Sequence, residues 1–187
     1  MKKFLLLAIL LLSLTTVMAQ TKLRGPINYN AEGYVEVYYP EQLETAIRYN
    51  NSAKIKLMAD IDVSHIRRIC KTFTGSITGK HKDSSEELKD SVDAMYCLDG
   101  GRGKGGEKSW LFCSVENATF DHILFKNFRI EDDDYCSIGV IAKYAENSKF
   151  TNLAFENVSV FDNFDDAGVI AGHAEGCQFE KILTKFC

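Results

Sequence analysis

The densest run of side chains able to do chemistry is acidic. Glu131-Asp132-Asp133-Asp134 follows an alternating stretch that ends at Ile130, and Asp162 and Asp165-Asp166 follow a matching stretch that ends at Val160. If those stretches stack, the two runs lie side by side and concentrate carboxylate oxygens. That is the donor set of Ca²⁺, which takes about six to eight oxygen ligands. Asp132, Asp133, Asp134, Asp162, Asp165 and Asp166 are therefore the candidate calcium ligands. A solvated acidic loop that keeps the surface charged uses the same residues and is the preferred reading. Tyr135, Phe161 and Phe164 stand beside these acids as candidate ligand-binding rings. They either stack on sugar rings or pack against the edge of the fold.

Other constellations carry less. Asp165-Asp166 with Gly172-His173 has the residue types of the acid pair and histidine of β-helical galacturonases. Those enzymes hold the two motifs on different coils, followed by Arg-x-Lys. Here Asp166 and His173 are only seven positions apart and no Arg-x-Lys follows. Paired carboxylates also need an environment that raises one pKa before they serve as a general acid, so this reading is rejected. Gly100 to Gly106 lacks the Gly-Lys-Ser/Thr ending of a phosphate loop and reads as a flexible loop. His65, His81, His122 and His173 show no metal spacing, and His122 falls on the outward phase of its strand, which predicts a surface role. No catalytic residue is assigned.

The elements that position these residues come from internal repetition. Ser109 begins SWLFCSVENATFDHILFKNFRI, Gly139 begins GVIAKYAENSKFTNLAFENVSV, and Gly168 begins GVIAGHAEGCQFEKILTKFC. Aligned, Glu116, Glu146 and Glu175 coincide, as do Phe120, Phe150 and Phe179, and Ile123, Leu153 and Ile182; Phe125 matches Phe155 and Asn127 matches Asn157. Within a copy the apolar residues alternate, which predicts strands with one face buried. The same residue type at the same phase in every copy is expected when each copy lies directly on the one before, ~4.8 Å away. The sequence thus predicts an all-β fold, a short right-handed parallel β-helix of ~30 residues per coil, with a stacked column at Phe120, Phe150 and Phe179. Asn127 and Asn157 fall where strands turn and tolerate a left-handed backbone.

The amino-terminal half predicts a strand–helix cap on this solenoid. Val35 and Val37 alternate with Glu36, Pro40 to Tyr49 reads as a helix with Leu43, Ala46 and Ile47 on one side, and Ile55, Leu57, Ile61 and Val63 continue the buried phase. The predicted organisation is a signal peptide over 1–19, the cap and first coil over 20–79, an insertion or flexible loop over 80–108, and repeat coils over 109–187. Ser84-x-x-Glu87 within the insertion is a capping-box candidate.

The leader sets the compartment. Lys2 and Lys3 precede the apolar run Phe4 to Leu12, and Val17-Met18-Ala19 suits cleavage before Gln20. The apolar run is too short for a membrane-spanning helix, which needs roughly 20 residues, so the chain is expected to be secreted, at the cell surface or in the periplasm, with no transmembrane segment. Of 22 basic side chains two leave with the leader, and the remainder face 26 acidic ones. That balance argues against a nucleic-acid partner. Cys70, Cys97, Cys113, Cys136, Cys177 and Cys187 would enter an oxidising compartment, where an even count favours disulfides, though about 15 pairings remain open.

YYPEQLETAIRYNNSAKIKLMADIDVS, then FTGSITGK, then WLF and the repeats, resembles secreted bacterial β-helix proteins with GLUG-type repeats. The shared pattern is a Gly, apolar residues, a turn, and an N-x-x-F/I-x-x-L strand. Ser109 replaces the leading Gly, and Thr184 stands where Phe is expected. The resemblance implies an adhesin-like or surface-associated protein and no catalytic residues. The leading functional expectation is an exported non-enzymatic surface or binding module for glycan or protein. The alternatives are a calcium-dependent carbohydrate-active enzyme of the polysaccharide-lyase type and a truncated structural fragment of a longer protein. The last coil carries no capping helix, which predicts either end-to-end self-association or a shortened relative of a longer protein.

Overall fold

A computed structural model describes residues 27, 29–66, 69–81, 91–100, 111–132, 137–162 and 166–187. The leader, the capping box at Ser84 and Glu87 and the glycine-rich stretch from Gly101 to Gly106 lie outside the described residues. Among those described, the protein is mostly β, with one α-helix, and every pairing between strands is parallel. Among the described residues no helix is long and apolar enough to cross a membrane.

The amino-terminal elements follow their patterning. β1 (Val35–Val37) buries Val35 and Val37, and α1 (Pro40–Tyr49) buries Leu43, Ala46 and Ile47. Proline starts α1 because the first turn needs no N–H donor from it, while Glu41 in the first turn and Arg48 in the last complement the helix dipole. β2 (Lys54–Leu57), β3 (Ile61–Asp62), β4 (Ile69–Phe73) and β5 (Ser76–Thr78) follow. β6 (Tyr96–Asp99) comes from within the stretch read as an insertion. It pairs with β3 and with the next long strand, and Leu98 is buried against the core. Met95-Tyr96-Cys97-Leu98 is apolar throughout and too short to display an alternation, which hid this strand in the sequence.

The three copies supply β7 (Phe112–Glu116), β8 (Thr119–Lys126) and β9 (Arg129–Asp132); then β10 (Ile138–Gly139), β11 (Ala142–Glu146), β12 (Lys149–Glu156) and β13 (Ser159–Asp162); then β14 (Ala167–Gly168), β15 (Ala171–Glu175) and β16 (Gln178–Lys185). An eight-stranded sheet runs β1-β2-β5-β8-β12-β16, with β6 also paired to β8 and β3 to β6. A four-stranded sheet runs β4-β7-β11-β15, and β9–β13 and β10–β14 form two further pairs. Register is kept from copy to copy: Phe150 lies opposite both Phe120 and Phe179, and Leu153 opposite Ile123 and Ile182. The rings of Phe120 and Phe150 are 5.4 Å apart and those of Phe150 and Phe179 5.3 Å, tilted by 9° in each case. Phe125 and Phe155 form a parallel second stack at 5.1 Å. Each fully buried ring removes enough apolar surface from water to contribute about 2–3 kcal/mol.

Two backbone devices let the copies repeat. The first is a left-handed residue every fifth position: Asn117, His122 and Asn127, then Asn147, Asn152 and Asn157, then Gly176, Lys181 and Phe186 all have positive φ. The two asparagines expected at turns are among them, and the others extend the same rule around each copy. Asparagine accepts this backbone most readily among non-glycine residues. The second device is the leading glycine of the repeat. A Cβ on Gly139 would lie 2.5 Å from Ala171 Cα, so only glycine admits the next copy.

Polar groups are satisfied across copies as well. Ser148 is buried; its hydroxyl accepts from Ala118 N at 3.1 Å and donates to Glu146 O at 2.8 Å. Asn157 Nδ2 donates to Asn127 Oδ1 at 2.6 Å, and Asn127 Nδ2 to Asp99 Oδ1 at 3.0 Å.

Candidate functional site

The outer face of the eight-stranded sheet is built by the same register that stacks the phenylalanines. Between the buried positions, side chains point outward and meet their counterparts on neighbouring strands. One column reads Glu36, Lys56, Thr78, Asp121, Thr151 and Glu180. The adjacent column reads Lys54, Ser76, Thr119, Lys149 and Gln178. Over β5, β8, β12 and β16 they line a shallow groove of about 440 Å³, to which Tyr34, His122 and Asn152 also contribute.

Asp121 is the centre of this groove. Thr151 Oγ1 donates to its Oδ1 at 2.8 Å and Asn152 Nδ2 donates to the same oxygen at 2.9 Å. His122 Nδ1 lies 2.7 Å from Oδ2, which places the imidazole proton on Nδ1. Burial pushes the Asp121 carboxyl up, but the hydrogen bonds from Asn152, His122 and Thr151 outweigh it and hold the group below its ordinary value. A carboxylate kept ionised in this way accepts hydrogen bonds from ligand hydroxyls; a general acid would need the opposite shift. Asn152 adds a buried side-chain oxygen with no hydrogen-bond partner.

His122 was expected at the surface and is instead buried. Its backbone is left-handed at φ 52°, so the simple alternation of the strand breaks there and the side chain folds in beside Asp121. Phase counting from Phe120 misses this because it assumes an unbroken strand. The only signal in the sequence was the match of His122 with Asn152 and Lys181, which are left-handed too.

The described parts of the acidic runs lie elsewhere: β9 and β13 bring Asp132 opposite Asp162 and Glu131 opposite Phe161. Asp133, Asp134 and Asp165 lie outside the described residues, as do Tyr135 and Phe164. Asp166 is exposed, with its carboxylate 3.8 Å from His173 Nδ1, and the His173 ring meets Tyr144 edge-on at 6.3 Å. Phe161 is exposed. Among the described residues no group of three or more His, Cys, Asp or Glu side chains is arranged to hold a metal ion. Cys97, Cys177 and Cys187 are free thiols, and Cys97 is buried: burial, reinforced by the charges of Asp60 and Asp99, pushes its pKa up to about 12.

Comparison with protein-family models, with characterised proteins and with solved structures returns no significant match.

Proposed function

We propose that this chain is exported, folds as a short right-handed parallel β-helix of the GLUG-repeat type behind a strand–helix cap, and serves as a non-enzymatic surface module that binds glycan. The observation that carries the reading is the Asp121 groove. Ionised carboxylate, amide, hydroxyl and ammonium groups converge there beside a tyrosine, the combination that hydrogen-bonds sugar hydroxyls while an aromatic ring meets the apolar face of the sugar. The depressed pKa of Asp121 favours binding over acid catalysis. Export follows from the leader, and N-terminal sequencing of the released protein should begin at Gln20.

A glycan array probed with the chain from Gln20 onward tests the activity. Binding to at least one glycan class, abolished by Asp121→Ala with the melting transition still cooperative, supports the reading. A blank array, or binding indifferent to Asp121→Ala, removes it.

A further inference from the structure

The groove is not an isolated pocket, because it is one stretch of two columns that cross the strands. Resting on the glycan reading, we propose that it takes a linear, uncharged polysaccharide laid along the stacking direction, with successive sugar units on successive strands, rather than a monosaccharide or a branched chain end.

Periodicity is the first argument. Thr78, Asp121, Thr151 and Glu180 are direct partners across β5, β8, β12 and β16, and Ser76, Thr119, Lys149 and Gln178 are partners beside them. Each strand therefore offers two polar side chains at the same two positions. Strands recur every ~4.8 Å, so four of them span roughly 14 Å. A ligand that uses every level must itself repeat at about that spacing, as an extended chain of pyranose rings does. A single sugar would engage one or two levels and leave the others to water.

Charge is the second argument. Across the four strands of the groove two carboxylates (Asp121, Glu180) stand against one ammonium group (Lys149), the other positions of the two columns being hydroxyls and one amide. The groove therefore carries one net negative charge and does not draw in a polyanion. A neutral chain loses nothing by that. A polyuronate would set its carboxylates against Asp121 and Glu180.

Openness of the face is the third. Lys149, Gln178 and Glu180 are exposed and Ser76, Thr78 and Thr119 half-buried, so both columns are open to solvent over these strands. Tyr34 lines the groove from the amino-terminal segment and supplies an aromatic surface beside the columns.

Calorimetry on the chain from Gln20 onward, with cello-, xylo- and manno-oligosaccharides of one to six units and with oligogalacturonates, tests the inference. In at least one neutral series affinity should rise at least ~10-fold between the monosaccharide and the tetrasaccharide and then level off, as contacts on linked units add up. Thr119→Trp, which fills the middle of the groove from an outward position, should cut tetrasaccharide affinity to the monosaccharide level without lowering the melting temperature. Affinity independent of length, preference for oligogalacturonate, or length dependence that survives Thr119→Trp would overturn the inference and leave the glycan-binding reading standing. No binding by any of these sugars would overturn both.

Discussion

The copy that begins at Gly139 and the copy that begins at Gly168 are close in sequence and far apart in environment. Phe150 is fully buried, whereas its partner Phe179 is 49% exposed. Leu153 is buried and Ile182 only partly so. Both phenylalanines have the same phase, the same neighbours along the chain and a stacked ring on one side. The difference is the second neighbour. A copy in the middle is covered on both sides, and a copy at the edge is covered on one. In a repeating parallel array, burial is therefore a property of position in the stack rather than of residue type, and stability is gained mainly at interfaces between copies.

The largest effect should come from the stacked ring. Phe150→Ala leaves a cavity between two rings and is expected to cost about 3–5 kcal/mol in urea denaturation. Phe179→Ala, at the half-covered position, should cost less than half of that. Equal costs at the two positions would mean that Phe179 is covered in solution.

Gly139→Ala should come next, at roughly 1–3 kcal/mol, because the added methyl meets the backbone of β15 and the two copies must separate to admit it. An unchanged urea midpoint would show that the contact between these copies is looser than 2.5 Å from Cβ to Cα implies.

Asn157→Ala should cost about 1–2 kcal/mol, since it forces alanine into a left-handed backbone and removes the donor to Asn127. The cost should largely persist in an Asn127→Ala background if backbone strain dominates, and should shrink if the ladder does.

The pH dependence of the groove follows from Asp121. Its folded pKa is depressed, so its contribution to stability is fully present above the unfolded value near ~3.9 and is lost as pH falls through the lower folded value. Melting temperature below about pH 4 should therefore fall less steeply in Asp121→Asn than in the unaltered chain. Parallel pH curves would mean that Asp121 is not held ionised by its donors.

The smallest effect concerns reactivity alone. At pH 8 an alkylating reagent should label the exposed Cys187 readily and leave Cys97 unmodified, because Cys97 is buried and its pKa is near 12. Labelling of Cys97 without unfolding would mean that β6 opens away from β8.

Most of the stacking was legible in the sequence because it is written twice, once as alternation within a copy and once as recurrence between copies. Phe120, Phe150 and Phe179 satisfy both patterns, and Pro40 with Leu43, Ala46 and Ile47 marks α1 by a local rule. The five-residue rhythm of left-handed positions was read only at Asn127 and Asn157, although Asn117, Asn147, Asn152 and Gly176 carry the same preference; Lys181 and Phe186 have none and occupy that backbone because the stack imposes it. The groove was not legible at all. Thr78, Asp121, Thr151 and Glu180 are 43, 30 and 29 residues apart, and each alone looks like any solvent-facing strand residue. Only register gathers them, so a search for acid runs found Asp132 and Asp162 and passed over Asp121.

The most direct test is nuclear magnetic resonance on protein with selectively labelled phenylalanine. In-register parallel stacking predicts ring-to-ring contacts from Phe150 to both Phe120 and Phe179, with none between Phe120 and Phe179. Contacts from Phe150 to neither ring, or close Hα–Hα contacts of antiparallel pairing between β12 and β8, would contradict the account.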